Sequence, residues 1–158
     1  MESNKLEKIV WTEADFDEMS WHDAHIWGMI ANPDEFEYLI DMDYIFEWIN
    51  PKEDETYYKF LVSPVTMVFE NAYEIRFDIE SQNGEIEISD LYMENSRKTK
   101  NGNFIEHTFR FECQQGNISL IATGFKMYVR QNPILLNKQS FDFKERGGIN
   151  FERKIKAI

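Results

Sequence analysis

The sequence predicts one mainly β domain over residues 1–158, an antiparallel sandwich or a partly open barrel with a short N-terminal helix. Three observations predict this class. Apolar and polar residues alternate with a period of two along much of the chain, as in strands with one solvent-exposed face. Asn-Gly pairs at residues 83–84 and 101–102 mark tight turns between such runs. A length of 158 residues suits one domain.

The first elements are a short helix and a long strand. Thr12 can cap a helix over residues 13–19, because Asp15 follows three positions later and acids fill the first turn. Every even position from 36 to 48 is apolar, which predicts a strand. At ~3.3 Å per residue this run would be about 50 Å long. We therefore expect a bend, a bulge or a break near Asp43, with a helix starting at Tyr44 as the competing interpretation.

The period also predicts which side of this strand is buried. A slip of one residue would exchange the two faces, so the even residues should be more buried than the odd ones. The residues expected inside are Phe36, Tyr38, Ile40 and Met42, and those expected outside are Glu35, Glu37 and Asp41.

The rest of the chain keeps the same period. Alternating runs cover residues 57–62, 65–70, 73–80, 85–92, 105–113 and 118–129, and a last strand is expected around 149–155. The run at 73–80 should bury one face only. The prolines fall at the edges of these runs, where strands tolerate proline: Pro33, Pro51, Pro64 and Pro133.

The composition excludes several classes of protein. A net charge of −12 argues against nucleic acid and against an anionic membrane surface as partners, because both attract clustered Lys and Arg. A single cysteine excludes an internal disulfide and a cysteine-based zinc site. No apolar run reaches the ~20 residues that span a bilayer, and the N-terminus lacks a signal-peptide pattern. We expect a cytoplasmic protein with no organic cofactor.

The negative charge is concentrated in one third of the chain. Residues 12–55 hold fourteen acids and one base, Lys52, whereas residues 144–158 are locally basic. An acidic region can steer a basic protein partner into contact. It can equally keep a small protein soluble or be neutralised by the basic region in the fold. The docking residues that we predict are Glu13, Asp17, Glu18, Glu35 and Glu37.

A second set of polar residues suggests a metal site. His22, Asp23 and His25 precede Asp41 and Asp43, and antiparallel pairing of the two segments would bring these side chains onto one surface. Imidazole and carboxylate ligands suit a divalent metal such as Zn, Mn or Fe, which could activate water. The alternative is a hydrogen-bonded cluster that holds the strand entry in place.

Other chemistry has weaker support. Cys113 lies on an apolar strand face with His107, so a Cys–His pair is conceivable, but a buried thiol behaves as a small hydrophobe. The many aromatic residues could line a cavity for an apolar ligand, although packing is the simpler role for alternating apolar faces. No nucleophile elbow or phosphate-binding glycine loop occurs.

Three motifs resemble a family of small, uncharacterised bacterial proteins over about residues 20–80. They are Trp21-His22-Asp23 with Gly28, Asp41-x-Asp43-Tyr44-Ile45-x-Glu47-Trp48, and Pro64-x-Thr66-x-x-Phe69-x-Asn71. The resemblance implies no activity and no site residue. Our leading hypothesis is a non-catalytic protein-binding module, similar in class to immunity proteins that block a toxin. The alternative is a β protein that binds a metal or small ligand, including a hydrolase, at the His22, Asp23, His25, Asp41 and Asp43 cluster.

Overall fold

The computed structural model describes residues 6–155, which contain ten strands and two short 3-10 helices. The helices are Glu13–Glu18 and Pro33–Glu35. The strands are β1 (Val10–Thr12), β2 (His25–Asn32), β3 (Glu37–Ile49), β4 (Lys59–Glu70), β5 (Tyr73–Ile79), β6 (Ile86–Lys98), β7 (Ile105–Cys113), β8 (Gly116–Ala122), β9 (Gly124–Val129) and β10 (Ile134–Leu136).

The strands follow one antiparallel path that does not close. Their order is β1-β9-β4-β3-β2-β6-β7-β8-β5, and β10 pairs with β4 beyond the end of β9. β2 and β6 share only two residue pairs, so the path divides there into a sheet around β3 and β4 and a sheet around β7. The mainly β, antiparallel prediction of a sandwich or open barrel is confirmed. No helix within residues 6–155 has the length and apolar character to cross a membrane.

Aromatic rings fill the space between the two sheets. Phe69 of β4 packs against Phe109 and Phe111 of β7 at centroid distances of 5.1 and 5.9 Å, and against Phe125 of β9 at 5.8 Å. All four are fully buried. Most of the alternating aromatics therefore act as core, because large buried rings contribute most of the apolar area that folding removes from water.

The N-terminal helix forms as a 3-10 helix. The Thr12 side chain accepts a hydrogen bond from Ala14 N, and the Asp15 carboxylate accepts one from Thr12 N, which is the predicted reciprocal cap.

β3 confirms the predicted strand and corrects its details. The chain stays extended through Tyr44, so the competing helix is wrong, and the irregularity in its pairing with β4 lies between Ile45 and Glu47 rather than at Asp43. Ile40 and Met42 are fully buried, as predicted. Asp41 is fully buried too, on the opposite face, so its predicted exposure is wrong.

The start of this run also differs from the prediction. Glu35 belongs to the second 3-10 helix, and Phe36 caps that helix in the left-handed conformation, with a φ of 56°. Phe36 therefore lies outside the strand, and its side chain is exposed instead of buried.

The second face of β3 is covered by the C-terminal segment. Residues 137–155, here called the strap, contain no strand, so the strand expected at 149–155 is wrong. Phe141 of the strap packs with Ile45, Phe60 and Val62 in a second apolar cluster. Gly28 faces the strap so closely that an added Cβ would lie 2.9 Å from Ile149 Cγ2. The first sheet is therefore buried on both faces along its centre.

Two further strands differ from expectation. Pro64 lies inside β4 rather than at its edge. The carbonyl oxygen of Pro64 accepts a hydrogen bond from Arg130 N, and the ring nitrogen points to the same side of the strand. On that side β4 changes its partner from β9 to β10, so no N–H donor is needed at Pro64. β5 is a strand, but Ile75 and Phe77 are exposed because β5 ends the sheet and pairs only with β8.

Candidate functional site

Asp41 lies at the centre of the most extensive buried polar network that the predicted site residues form. Arg146 of the strap binds its carboxylate with both terminal nitrogens, at 2.7 Å from Nη1 and 2.6 Å from Nη2. Arg130 Nη1 lies 2.9 Å from the same carboxylate, and Asn150 N donates to it at 2.9 Å. Three hydrogen-bond donors and the Arg130 ion pair thus surround a fully buried carboxylate.

Asp43 holds a second part of the strap. Its carboxylate accepts from Arg146 Nε at 3.1 Å, from the Trp27 indole nitrogen at 2.8 Å and from Phe141 N at 2.9 Å. The Arg146 guanidinium also lies over the Trp27 ring, 5.0 Å from its centroid. One arginine therefore ties both aspartates of β3 to the C-terminal segment.

Arg130 joins this network to β4. Its Nη1 donates to Thr66 Oγ1 at 2.9 Å, to Val65 O at 3.2 Å and to Asn150 O at 2.7 Å. Burial lowers the pKa of Arg130, although the charge of Asp41 opposes that shift. Burial would lower the pKa of Arg146 as well, but the hydrogen bonds that Arg146 donates to Asp41 and the charge of Asp43 outweigh burial and raise that pKa.

The network explains two of the motifs. In the β3–β4 ladder Asp41 stands opposite Thr66, and Asp43 stands opposite Pro64. The Asp-x-Asp and Pro-x-Thr motifs are therefore neighbours on one sheet face, and their polar atoms bind the strap or the arginines beneath it. Their role in this chain is to hold the fold together.

The two predicted histidines differ in environment. His25 pairs with Asp43 across β2 and β3, so the predicted antiparallel neighbourhood is confirmed. His22 has an exposed side chain, with Nδ1 3.2 Å from Ser89 O and Nε2 3.5 Å from Asp23 Oδ1. The other carboxylate oxygen of Asp23 accepts from Gln139 Nε2 at 2.6 Å.

The five residues do not come together as metal ligands. Within residues 6–155 no group of three or more His, Cys, Asp or Glu side chains is placed to hold a metal ion. Asp41 and Asp43 face guanidinium groups instead, and an arginine supplies the positive charge that a metal would bring. This matches the alternative of a hydrogen-bonded cluster more closely than a metal site.

Burial also shifts two neighbouring groups. Burial lowers the pKa of His25, against the opposing charges of Asp43 and Glu85. Burial together with the nearby Asp23 carboxyl raises the pKa of Glu87. Both shifts favour the neutral side chain.

The Cys–His pair does not form. Cys113 and His107 are six residues apart on β7, about 20 Å at ~3.4 Å per residue. His107 Nδ1 lies 2.7 Å from Ser96 Oγ instead. Burial raises the pKa of the Cys113 thiol to about 11, which keeps it protonated and poorly nucleophilic.

The predicted docking acids divide into two kinds. Glu13 accepts a hydrogen bond from Phe125 N, and Glu37 pairs with Arg153 of the strap, so both have internal partners. Asp17, Glu18 and Glu35 are exposed. The first 3-10 helix packs on β1 and β9, whereas the second joins β2 to β3.

The β3–β4 connection presents exposed residues that we did not predict as a site. Trp48 follows the last alternating acid of β3, and Tyr57 and Tyr58 precede β4. Glu53 and Asp54 lie between them and are exposed. The sequence contains one signal for this site, the adjacent Tyr57 and Tyr58 in an acidic stretch between two strands. No alternation of apolar and polar residues in that stretch predicts that they are buried.

An open surface cavity lies at the other sheet. It measures about 430 Å³, and its lining includes Tyr73, Thr99, Lys100, Phe104 and Glu106. The Tyr73 hydroxyl donates to the Glu106 carboxylate at 2.9 Å, and Arg97 Nε lies 3.4 Å from it. Glu106 is therefore already satisfied by its neighbours.

Comparison of the chain with protein-family models, with curated proteins and with solved structures finds no match in any of the three. The geometry and the charge of the molecule therefore carry the functional argument.

Asp41→Asn is expected to destabilise the protein by about 3–5 kcal/mol, because it leaves two buried arginines without their shared charge partner. Glu37→Gln is the matched control, since its pair with Arg153 is partly exposed and should contribute about 1 kcal/mol or less. Urea unfolding of both variants measures the difference. Equal losses would contradict a special role for the Asp41 network.

His25 should make stability depend on pH. Its pKa is lowered in the folded state, so the unfolded chain binds a proton first as the pH falls below about 6.5. Neutral His25 therefore contributes its full stabilisation above about pH 6.5. This stabilisation is lost as the pH falls towards the pKa of His25 in the folded protein. We expect the urea concentration at the unfolding midpoint to be lower at about pH 5.5 than at about pH 7.5. The decrease should be smaller in His25→Gln. Parallel curves for the two proteins would exclude this role.

Proposed function

We propose that the chain is a non-catalytic protein-binding module, of the class that includes immunity proteins, and that it binds a basic protein partner through its acid-rich N-terminal third. One observation carries the proposal. Seven acids between residues 12 and 55 are exposed and have no ion-pair partner among residues 6–155: Asp17, Glu18, Asp34, Glu35, Glu47, Glu53 and Asp54.

The internal pairing supports this interpretation of the charge. The C-terminal arginines neutralise Asp41, Asp43 and Glu37, so part of the acidic charge is indeed balanced within the fold. Arg130 and Arg146 are buried in these ion pairs, so their positive charges do not neutralise the exposed acids. A surface with an excess of one charge attracts a partner of the opposite charge and raises its encounter rate.

The absence of a catalytic arrangement among the predicted residues also favours binding over chemistry. The two buried aspartates are saturated by donors, and the buried thiol is held in its protonated form. We further propose a cytoplasmic, bacterial setting, which is compatible with one free, buried cysteine.

The test is the salt dependence of association. A basic partner is first isolated from the host by affinity capture, and its on-rate is then measured by stopped flow. Raising the ionic strength from about 0.01 M to about 0.15 M shortens the Debye length from ~30 Å to ~8 Å, so the on-rate should fall steeply. An on-rate that ignores ionic strength would contradict the proposal.

A matched pair of triple variants locates the effect. Asp17→Asn, Glu18→Gln and Glu35→Gln together remove three exposed charges from the acidic third. The control removes three exposed charges from the β5 region, through Glu74→Gln, Asp78→Asn and Glu80→Gln. We expect the first variant to slow association roughly three- to tenfold and the control much less, with melting temperatures almost unchanged in both. Equal slowing would mean that only net charge matters.

A further inference from the structure

Three exposed aromatic side chains lie at the end of β3 and in the segment before β4, where Trp48 contacts Tyr58 and Tyr58 lines a groove with Tyr57. Trp48, Tyr57 and Tyr58, here called the aromatic patch, have exposed fractions of 38 %, 80 % and 45 %. Single exposed rings are common on protein surfaces, whereas neighbouring exposed rings often mark an interaction site. Trp and Tyr are also the residues that most often contribute the binding energy of protein interfaces.

The tryptophan is fixed in place by its neighbours. Its ring meets Tyr58 edge to face at 5.9 Å and Phe60 at 5.0 Å, and the exposed ring of His22 stacks on it at 5.8 Å with an interplanar angle of 26°. Because Phe60 is buried in the cluster beneath the strap, Trp48 is anchored to the body of the protein. An anchored ring binds a partner with little loss of side-chain entropy.

The surroundings of the patch are negative. Residues 47–59 contain four acids and two lysines, a net charge of −2, and one of the lysines, Lys59, lines the groove beside Tyr57 and Tyr58. The only one of these acids with an ion-pair partner among residues 6–155 is Glu55, which lies 3.6 Å from Lys59. Tyr57 and Tyr58 line an open groove of about 280 Å³, smaller than the ~300–1,000 Å³ typical of sites for drug-sized ligands. A groove of this size suits a single side chain.

The rings of the patch also lack a cation of their own. Four other aromatic rings in the described part of the chain carry an internal Lys or Arg over their faces, at Trp11, Trp27, Tyr92 and Tyr128. No such contact is found for Trp48, Tyr57 or Tyr58 among residues 6–155. His22 covers one face of Trp48, and no Lys or Arg side chain of residues 6–155 lies over the rings of Tyr57 and Tyr58.

We infer that the aromatic patch binds an arginine side chain of the basic partner, and this inference rests on the proposed function. A guanidinium is planar, stacks on aromatic faces and forms paired hydrogen bonds with carboxylates, so it matches open rings bordered by acids. A second copy of this chain would bring the same negative charges and be repelled. The acids speed the encounter, and the patch fixes the orientation.

The test uses a peptide of alternating glycine and arginine as the probe, with lysine and glutamine peptides of the same length beside it. Isothermal titration at low salt gives the affinity for the intact protein and for Trp48→Leu and Tyr57→Ser. The matched control is Phe104→Ser, an exposed ring in the connection between β6 and β7. Tyr57 is the more exposed position, so its variant keeps the test valid if Trp48→Leu loosens the packing on Phe60.

We expect each patch variant to weaken arginine-peptide binding about three- to tenfold, as expected for loss of a cation–π contact. Phe104→Ser should bind like the intact protein, the lysine peptide should bind more weakly, and the glutamine peptide should not bind. Equal affinity of the intact protein and both patch variants for the arginine peptide would overturn the inference.

The two proposals fail in different ways. If the triple variant at Asp17, Glu18 and Glu35 slows the partner while the patch variants leave arginine-peptide affinity unchanged, the aromatic inference is wrong and the proposed function stands. If the patch variants lose the arginine peptide but partner association ignores salt, the arginine site is supported and the steered docking is wrong.

Discussion

The packing of the strap on the outer face of β3 depends on the guanidinium group of Arg146. Arg146 binds Asp41 through two nitrogens and Asp43 through a third, and all three side chains are buried. Removing such charges from water costs several kcal/mol per ion, so any one of them alone would oppose folding. Together they satisfy one another, and the backbone amides of Phe141 and Asn150 complete the set. The strap is thereby fixed over the sheet, and Ile45 and Phe60 gain an apolar cover.

This interaction also shapes the surface. The arginines Arg130 and Arg146 neutralise acids inside the fold, whereas other acids of the 3-10 helices and of the β3–β4 connection stay exposed: Asp17, Glu18, Asp34, Glu35, Glu53 and Asp54. The result is a buried network with two aspartates and two arginines under the strap, and an exterior with an excess of carboxylates. An excess of this kind suits recognition of a basic partner, and the exposed rings of Trp48, Tyr57 and Tyr58 would add orientation to attraction.

Alternation in the sequence predicts which residues share a strand face, but not whether a second layer covers that face. Ile40 and Met42 were therefore placed correctly, whereas Asp41 was expected in solvent because its partner Arg146 is 105 residues away. The same limit applies to Phe77, which has the pattern of a core residue but lies on the last strand of its sheet. Local signals did better: the cap formed by Thr12 and Asp15 depends only on neighbouring residues. The basic C-terminus hinted at neutralisation, yet charge alone could not indicate which acids it would reach.

Amide hydrogen exchange tests most directly whether the strap is part of the folded core. The amides of Phe141 and Asn150 donate to the two buried aspartates, so they should open only when the whole domain unfolds. We expect protection factors for these two amides within about tenfold of those of the most protected amides of β3 and β4. Fast exchange of both amides, with the β3–β4 ladder still protected, would show that the strap opens by itself and would contradict the central role of Arg146.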